Sequence, residues 1–366
     1  FKVYTQRDLE RIPQLARLSP AQRFEMKVVS SVLPFRVNQY VIDELIDWAN
    51  VPADPIFQLT FPQRGMLAPE HYERIAKLIR SDAPKDELER AIDAVRHALN
   101  PHPADQMEMN MPRDEHGNRL DGIQHKYRET VLFFPGAGQT CHAYCTFCFR
   151  WAQFIGEEDL KFNARESQEL VNYLRVHTEV TDVLITGGDP MIMNTRSLAG
   201  YIEPLLALPH LKSIRIGTKA VAYWPQRFVS DKDAPQLLEL FERIVAAGKH
   251  LSVMGHYNHP VEIRQDIARQ AIERIRSTGA TLRMQAPVIR HINENPADWA
   301  ALWTEGVRLG AVPYYMFVER DTGPSVQVRH AAESPRACEQ SHLIPGIKVV
   351  SYASAWWRNS FDFDAR

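Results

Sequence analysis

Three of the chain's four cysteines, Cys141, Cys145 and Cys148, fall in one short stretch, "CHAYCTFCFR". Thiols at that spacing can all be presented from a single loop, which suits a metal site better than a disulfide framework. A structural zinc site closes with four protein ligands, so zinc here would need a histidine such as His142 as the fourth. A four-iron cluster is the other reading. With three cysteine ligands it keeps one iron open for something else. Gly136 and Gly138, just upstream, permit the tight turns needed to wrap a loop around a cluster.

Three further groups of residues could take part. In "TGGDP" (186–190), Gly187 and Gly188 let the backbone come close to a ligand, and Asp189 can accept from an ammonium group. The same residues also make a tight strand-to-helix turn. "GHYNHP" places His256, Asn258 and His259 together, at a spacing too unspecific to assign a metal. Arg150, two residues past the third cysteine, can neutralise a carboxylate or a cluster, or remain a solvated cation.

These residues need elements to hold them. From about residue 128, short runs rich in β-branched and aromatic residues recur: "TVLFFP", "TDVLIT", "KSIRIG", "HLSVMG", "ATLRMQA" and "PYYMFV". Helical patterns separate them, such as "APQLLELFERIVAAG". In "VEIRQDIARQAIERIRSTG" the spacing predicts a stripe of Ile263, Ile267, Ala271 and Ile275, ended by Gly279. Six strands alternating with helices imply right-handed βαβ units and a parallel sheet. Pattern alone allows an open, curved partial barrel or a flat doubly wound sheet. Either way, ligands gather at the carboxyl ends of the strands, where the cysteines and the "TGGD" turn fall.

Before this unit, residues 1–110 read as a helical N-terminal region, with Ser19 as an N-cap and Pro20 in the first turn of one helix. The polar stretch from Pro101 to Tyr127 reads as a surface connection. The α/β unit covers 111–325, and 326–366 forms a C-terminal tail without a clear period.

Composition narrows the function classes. The net charge of -2 gives no basic field for nucleic acid or anionic membranes. No apolar run approaches the roughly 20 residues that span a bilayer, and no secretory-signal pattern opens the chain. Clustered free thiols point to a reducing compartment, the cytoplasm.

Taken in order, the motifs resemble the radical S-adenosylmethionine (radical SAM) superfamily, whose CxxxCxxC loop is matched by "CHAYCTFC". The closer resemblance is to the lysine 2,3-aminomutase family. It rests on "HKYRETVLFF", "VLITGGDPMI", "IRIGTKAVAYWPQRF", "HYNHPVEI", "MQAPVIRHINE" and "PYYMFVERD", which run through residues 125–321. The resemblance implies an α/β partial (β/α)6 barrel of parallel strands with a helical N-terminal extension. It implies a 4Fe-4S cluster on Cys141, Cys145 and Cys148, and SAM bound at the open iron. Gly187, Gly188, Asp189, Gln285, His256 and Asn258 would then line the SAM pocket, with Arg150 beside it.

The family also holds pyridoxal phosphate (PLP) on a lysine within a glycine-rich tail motif. This chain lacks that glycine run, and "PGIKVV" offers Lys348 instead. A family aspartate that serves lysine recognition is replaced by Glu294, and Glu319 and Asp321 stand nearby in the sequence. Lysine as substrate is therefore in doubt. The expected partners are a small amino-acid substrate and an electron donor such as flavodoxin or ferredoxin, with room for a homo-oligomer. Three functions remain open: an amino acid 2,3-aminomutase, a PLP-independent radical SAM enzyme, and a non-catalytic iron–sulfur or zinc protein.

Overall fold

A computed structural model describes residues 1–99, 110–148, 150–155, 163–164, 167–318 and 349–351 of the protein. β1 (Val3–Thr5) pairs antiparallel with β2 (Arg36–Asn38), a ribbon that the helical periodicity of this region does not announce. Between them, Ser19 caps α1 (Pro20–Val32): its hydroxyl accepts from the Gln22 amide at 3.2 Å. Pro20 occupies the first turn, where no amide donor is needed.

The short α2 (Pro55–Thr60) is followed by α3 (Pro69–Arg80) and α4 (Lys85–Ala98). Tyr72, Ile75 and Ala76 of α3 and Ile92 and Val95 of α4 pack with Val28, Val29 and Val32 of α1. Trp151, only 2% exposed, belongs to the same small core. The N-terminal helices thus grip the chain just after the cysteines.

The main sheet begins with β3 (Ile123–Tyr127), antiparallel to β4 (Thr130–Phe133). β3 lies in the stretch read as a surface connection. From β4 on, neighbours are parallel: β5 (Asp182–Ile185), β6 (Ser213–Thr218), β7 (His250–His256), β8 (Thr281–Pro287), β9 (Val312–Val318) and β10 (Val349–Ser351). All six expected strands form. β10 adds a seventh parallel strand from the tail that has no clear period.

The order across the sheet follows the order along the chain. A doubly wound sheet reverses direction at a switch point, and this one never does. Right-handed crossovers that all step the same way put their helices on one face. The other face is left free, so the architecture is the partial barrel and not the flat alternative.

The crossovers carry α5 (Gln168–Val176), α6 (Thr195–Leu206), the single-turn helices α7 (Ala220–Tyr223) and α8 (Gln226–Val229), α9 (Ala234–Ala246), α10 (Asp266–Ser277) and α11 (Pro296–Arg308). On α9, Leu237, Leu240, Phe241 and Ile244 are all fully buried at helical spacing. Each contributes about 1.5–3 kcal/mol by leaving water. On β6, Ile214 and Ile216 are fully buried, while Arg215 and Gly217 alternate with them on the free face. Among the described residues, no helix is long and apolar enough to cross a membrane.

One periodicity differs from its expected form. The buried stripe of α10 is Ala268, Ala271, Ile272 and Ile275. The helix starts only at Asp266, so Ile263 is buried in a separate turn, Pro260–Ile263. Gly279 does end it, with φ +84° and its amide donating to the Arg276 carbonyl at 3.0 Å. A side chain in that left-handed conformation costs about 1–2 kcal/mol. Gly279→Ala should therefore lower the urea-unfolding free energy by about that amount, and unchanged stability would refute the cap.

Candidate functional site

The cysteine loop leaves β4 through one turn of 3-10 helix, Gly136–Gly138, and is stitched to the N-terminal region. The Tyr144 amide donates to the Arg36 carbonyl at 2.8 Å, and the Thr146 amide to the Leu59 carbonyl at 2.8 Å. Asn38, fully buried, donates from Nδ2 to the carbonyls of His142 and Tyr223 at 3.3 and 2.9 Å. Within the loop, the Cys148 amide donates to the Cys145 carbonyl at 3.1 Å. The three cysteines are free thiols, each half-buried. Burial pushes the Cys141 thiol well up, helped by the negative charge of Asp189 and the other two cysteines and opposed by Arg36. Loading a metal centre must therefore displace its proton.

The "TGGD" turn lies against this loop. A Cβ on Gly187 would run into the Gln139 side chain, and one on Gly188 would stand 2.5 Å from the Thr140 amide nitrogen. Gly188 thus makes room for the loop backbone that precedes Cys141, and Gly187 for the Gln139 side chain. Asp189 is 1% exposed. Its Oδ1 accepts from the Thr218 hydroxyl at 2.7 Å and the Met191 amide at 2.9 Å, and its Oδ2 from the Lys219 amide at 2.9 Å. Its own amide donates to the Gly138 carbonyl at 3.0 Å. The carboxylate is thus engaged by donors from the ends of β5 and β6.

Arg150 is buried, not solvated. Its guanidinium lies 4.3 Å from the Phe134 ring centroid, and Nη2 donates to Gln139 Oε1 at 3.2 Å.

On the free face, His256 and Gln285 are paired in register on adjacent strands. The His256 ring lies 6.1 Å from that of Phe147, inside the cysteine loop, and 6.5 Å from that of Phe317. Burial and the nearby Lys219 ammonium push its pKa down to about 3, so the ring is neutral at physiological pH. Asn258 is buried; Oδ1 accepts from Lys219 Nζ at 2.8 Å, and Nδ2 has no acceptor among the described residues. The structure therefore gathers Cys141, Cys145, Cys148, Gly187, Gly188, Asp189, Arg150, His256, Asn258 and Gln285 at the carboxyl edge of the sheet.

Sequence reasoning missed the residues that brace this edge. Lys219 Nζ donates to Glu262 at 2.8 Å and to the His256 carbonyl at 3.2 Å. Glu262, fully buried, accepts from the amides of Asn258 and His259. Asn293 Nδ2 donates to the carbonyls of Asn258 and Pro287 at 2.9 and 3.0 Å. One signal was legible: "HPVE" has proline at the first turn position and glutamate at the third, the form of a capping box. Asn38 and Asn293 carry no such mark.

The donor set fits the cluster reading. Among the described residues, no three His, Cys, Asp or Glu side chains are placed to hold a single ion, as a closed zinc site with His142 requires. Three thiols on one loop suit a cluster. Lys348, Glu319 and Asp321 lie outside the described residues. Glu294 is exposed, and its Oε1 accepts from the His291 amide at 3.1 Å.

Several named proteins are similar to this chain. A "Putative L-lysine 2,3-aminomutase" of Aquifex aeolicus is 33% identical over 86% of this chain and 70% of its own length. The "L-lysine 2,3-aminomutase" of Escherichia coli is 28% identical over 57% of each chain. The "Glutamate 2,3-aminomutase" of Clostridioides difficile is 26% identical over 58% of this chain and 47% of its own. No family model matches the chain. A radical SAM methyltransferase structure from Sphaerobacter thermophilus overlaps with a TM-score of 0.43 at 12% identity, over 77% of this chain and 93% of that one. That overlap is too loose to bear on function. The Aquifex relative, matched along most of both chains, carries the assignment: this chain belongs to the lysine 2,3-aminomutase family of radical SAM enzymes.

Proposed function

We propose that this enzyme catalyses a 2,3-shift of the amino group of an amino acid, with the cluster on Cys141, Cys145 and Cys148 and PLP on Lys348. The observation that carries the reading is the placement of the three thiols over a free wall bearing a neutral histidine and a glutamine. When bound, the 4Fe-4S cluster and SAM supply a 5′-deoxyadenosyl radical, and PLP supplies a carrier for the amino group.

The chain's residues perform the positioning. Gly187 and Gly188 let the cysteine loop settle on the end of β5, and Asn38 fixes it from the outer side. His256, kept neutral, can hydrogen-bond a cationic ligand without adding repulsion. Asn258 Nδ2 is a buried donor without a partner among the described residues, and such groups generally find an acceptor; a ligand oxygen supplies one. Arg150, dry against Phe134, suits a carboxylate. The electron comes from outside the chain, from a flavodoxin- or ferredoxin-type donor. A cytoplasmic location would keep the thiols reduced. The named relatives act on lysine or on glutamate, so family alone leaves the substrate class open.

Three outcomes are expected. Anaerobically reconstituted protein should be brown, with a paramagnetic resonance signal on reduction that changes with SAM, and Cys145→Ala should retain no cluster. A colourless parent protein with stoichiometric zinc would sink the radical reading. Asp189→Ala leaves three donors facing nothing. It should cost about 3 kcal/mol or more of unfolding free energy and weaken SAM binding by equilibrium dialysis. Parent-like values for both would show that the carboxylate braces nothing. Finally, borohydride treatment of PLP-loaded protein, then peptide mapping, should find pyridoxyl on Lys348. A label on another lysine would move the site, and no label would favour the PLP-independent enzyme.

A further inference from the structure

Strand β9 carries a bulge. Arg283 pairs with Val312 and Met284 with Pro313, but Gln285 pairs with Tyr315, so Tyr314 is passed over. Pro313 has no amide hydrogen for the ladder, and a bulge is where a strand tolerates that. Consecutive strand residues ordinarily face opposite ways. Here the rings of Tyr314 and Tyr315 stand together, centroids 3.9 Å apart, and the Tyr314 hydroxyl donates to that of Tyr315 at 3.2 Å.

Arg283 of β8 joins them, its guanidinium 4.9 Å from the Tyr314 centroid. Its flanking residues Leu282 and Met284 are fully buried, Met284 against Gly306 of α11. Arg283 therefore lies on the free face, in line with Gln285. Nε donates to Ser252 Oγ at 3.0 Å. The terminal nitrogens make no hydrogen bond or ion pair among the described residues. Arg215 on β6 differs, because Asp182 holds it through two nitrogens. Among the described residues, the unspent charge on this stretch of wall is thus the Arg283 guanidinium, flanked by phenols. Burial above all pushes the Tyr315 pKa up to about 12, so it keeps its proton to donate.

We propose that Arg283, Tyr314 and Tyr315 form a subsite for the distal carboxylate of the substrate, which makes that substrate an amino acid with an acidic side chain. The claim rests on the amino-acid reading above and names its substrate class. Arg283 lies two residues deeper than Gln285, about 7 Å along the strand, so the group reaching it is the end farthest from the cofactor edge. A diamino acid would bring an ammonium to an unneutralised guanidinium.

The test is calorimetric titration of L-glutamate and L-lysine into enzyme carrying oxidised cluster, SAM and PLP. L-glutamate should bind at least about tenfold tighter than L-lysine. Arg283→Gln should weaken glutamate by about 10- to 100-fold, the loss of one charge-assisted contact, and Arg283→Lys should restore part of it. Lysine binding as tightly as glutamate, or neither binding, overturns the proposal. So does an Arg283→Gln variant of parent melting temperature that keeps glutamate affinity. If that variant instead loses PLP, the anion held is the cofactor's phosphate and the substrate class falls. Failure of the aminomutase reading shows separately, as no pyridoxyl on any lysine.

Discussion

The carboxylate of Asp189 is the point on which the functional edge of the sheet depends. It is almost wholly removed from water, and an ionised group in that position costs several kcal/mol unless donors surround it. Here the donors come from different elements: Thr218 and Lys219 from the end of β6, Met191 from the turn after β5. The Asp189 amide closes the set by reaching back to Gly138, at the start of the cysteine loop. One residue therefore fixes the ends of β5 and β6 relative to the loop that must present three thiols. Movement of any of these elements would strand a buried charge, so the arrangement is held as a unit.

From Asp189 the bracing continues along the edge. The Lys219 amide contacts Asp189, and its ammonium contacts Glu262, which takes the amides of Asn258 and His259. The Asn258 carbonyl then receives Asn293, beyond β8. A buried ion pair of this kind is weak evidence for stability, since apolar residues of the same volume often serve as well. What it adds is a defined geometry: each partner has few alternatives in a dry environment. Asn258 is held by its carbonyl, amide and Oδ1, which leaves Nδ2 fixed in place and without an acceptor among the described residues.

Much of the fold was legible because β-branched runs and 3.6-residue stripes survive in the sequence whatever packs against them. The six parallel strands and the helices between them came from that signal. So did the cysteine loop and the "TGGD" turn, whose residue types are chemically rare at such spacing. What stayed hidden depends on contacts far apart in the chain. Asn38 is separated from His142 and Tyr223 by more than one hundred residues, and no local pattern marks it. Gly187 and Gly188 were legible as a close approach, but the approaching partners are the Gln139 side chain and the Gln139–Thr140 backbone. Likewise Arg283 and Tyr314 look like ordinary strand residues until the bulge at Pro313 turns them toward one another.

The free wall is layered by depth. At the carboxyl ends of the strands it carries neutral hydrogen-bonding groups, His256 and Gln285, beside the cysteine loop. One inward position below, Met254 and Arg283 lie level in register, and Arg215 and Ser252 pair one position deeper still. Because side chains alternate with period two, a deeper residue can change without disturbing either the layer above it or the helix-facing residues between. The cofactor edge is locked by a continuous polar network, whereas among the described residues Arg283 is anchored by Ser252 and Tyr314 alone. A wall built this way can keep its radical chemistry constant while the deep layer sets which substrate is received.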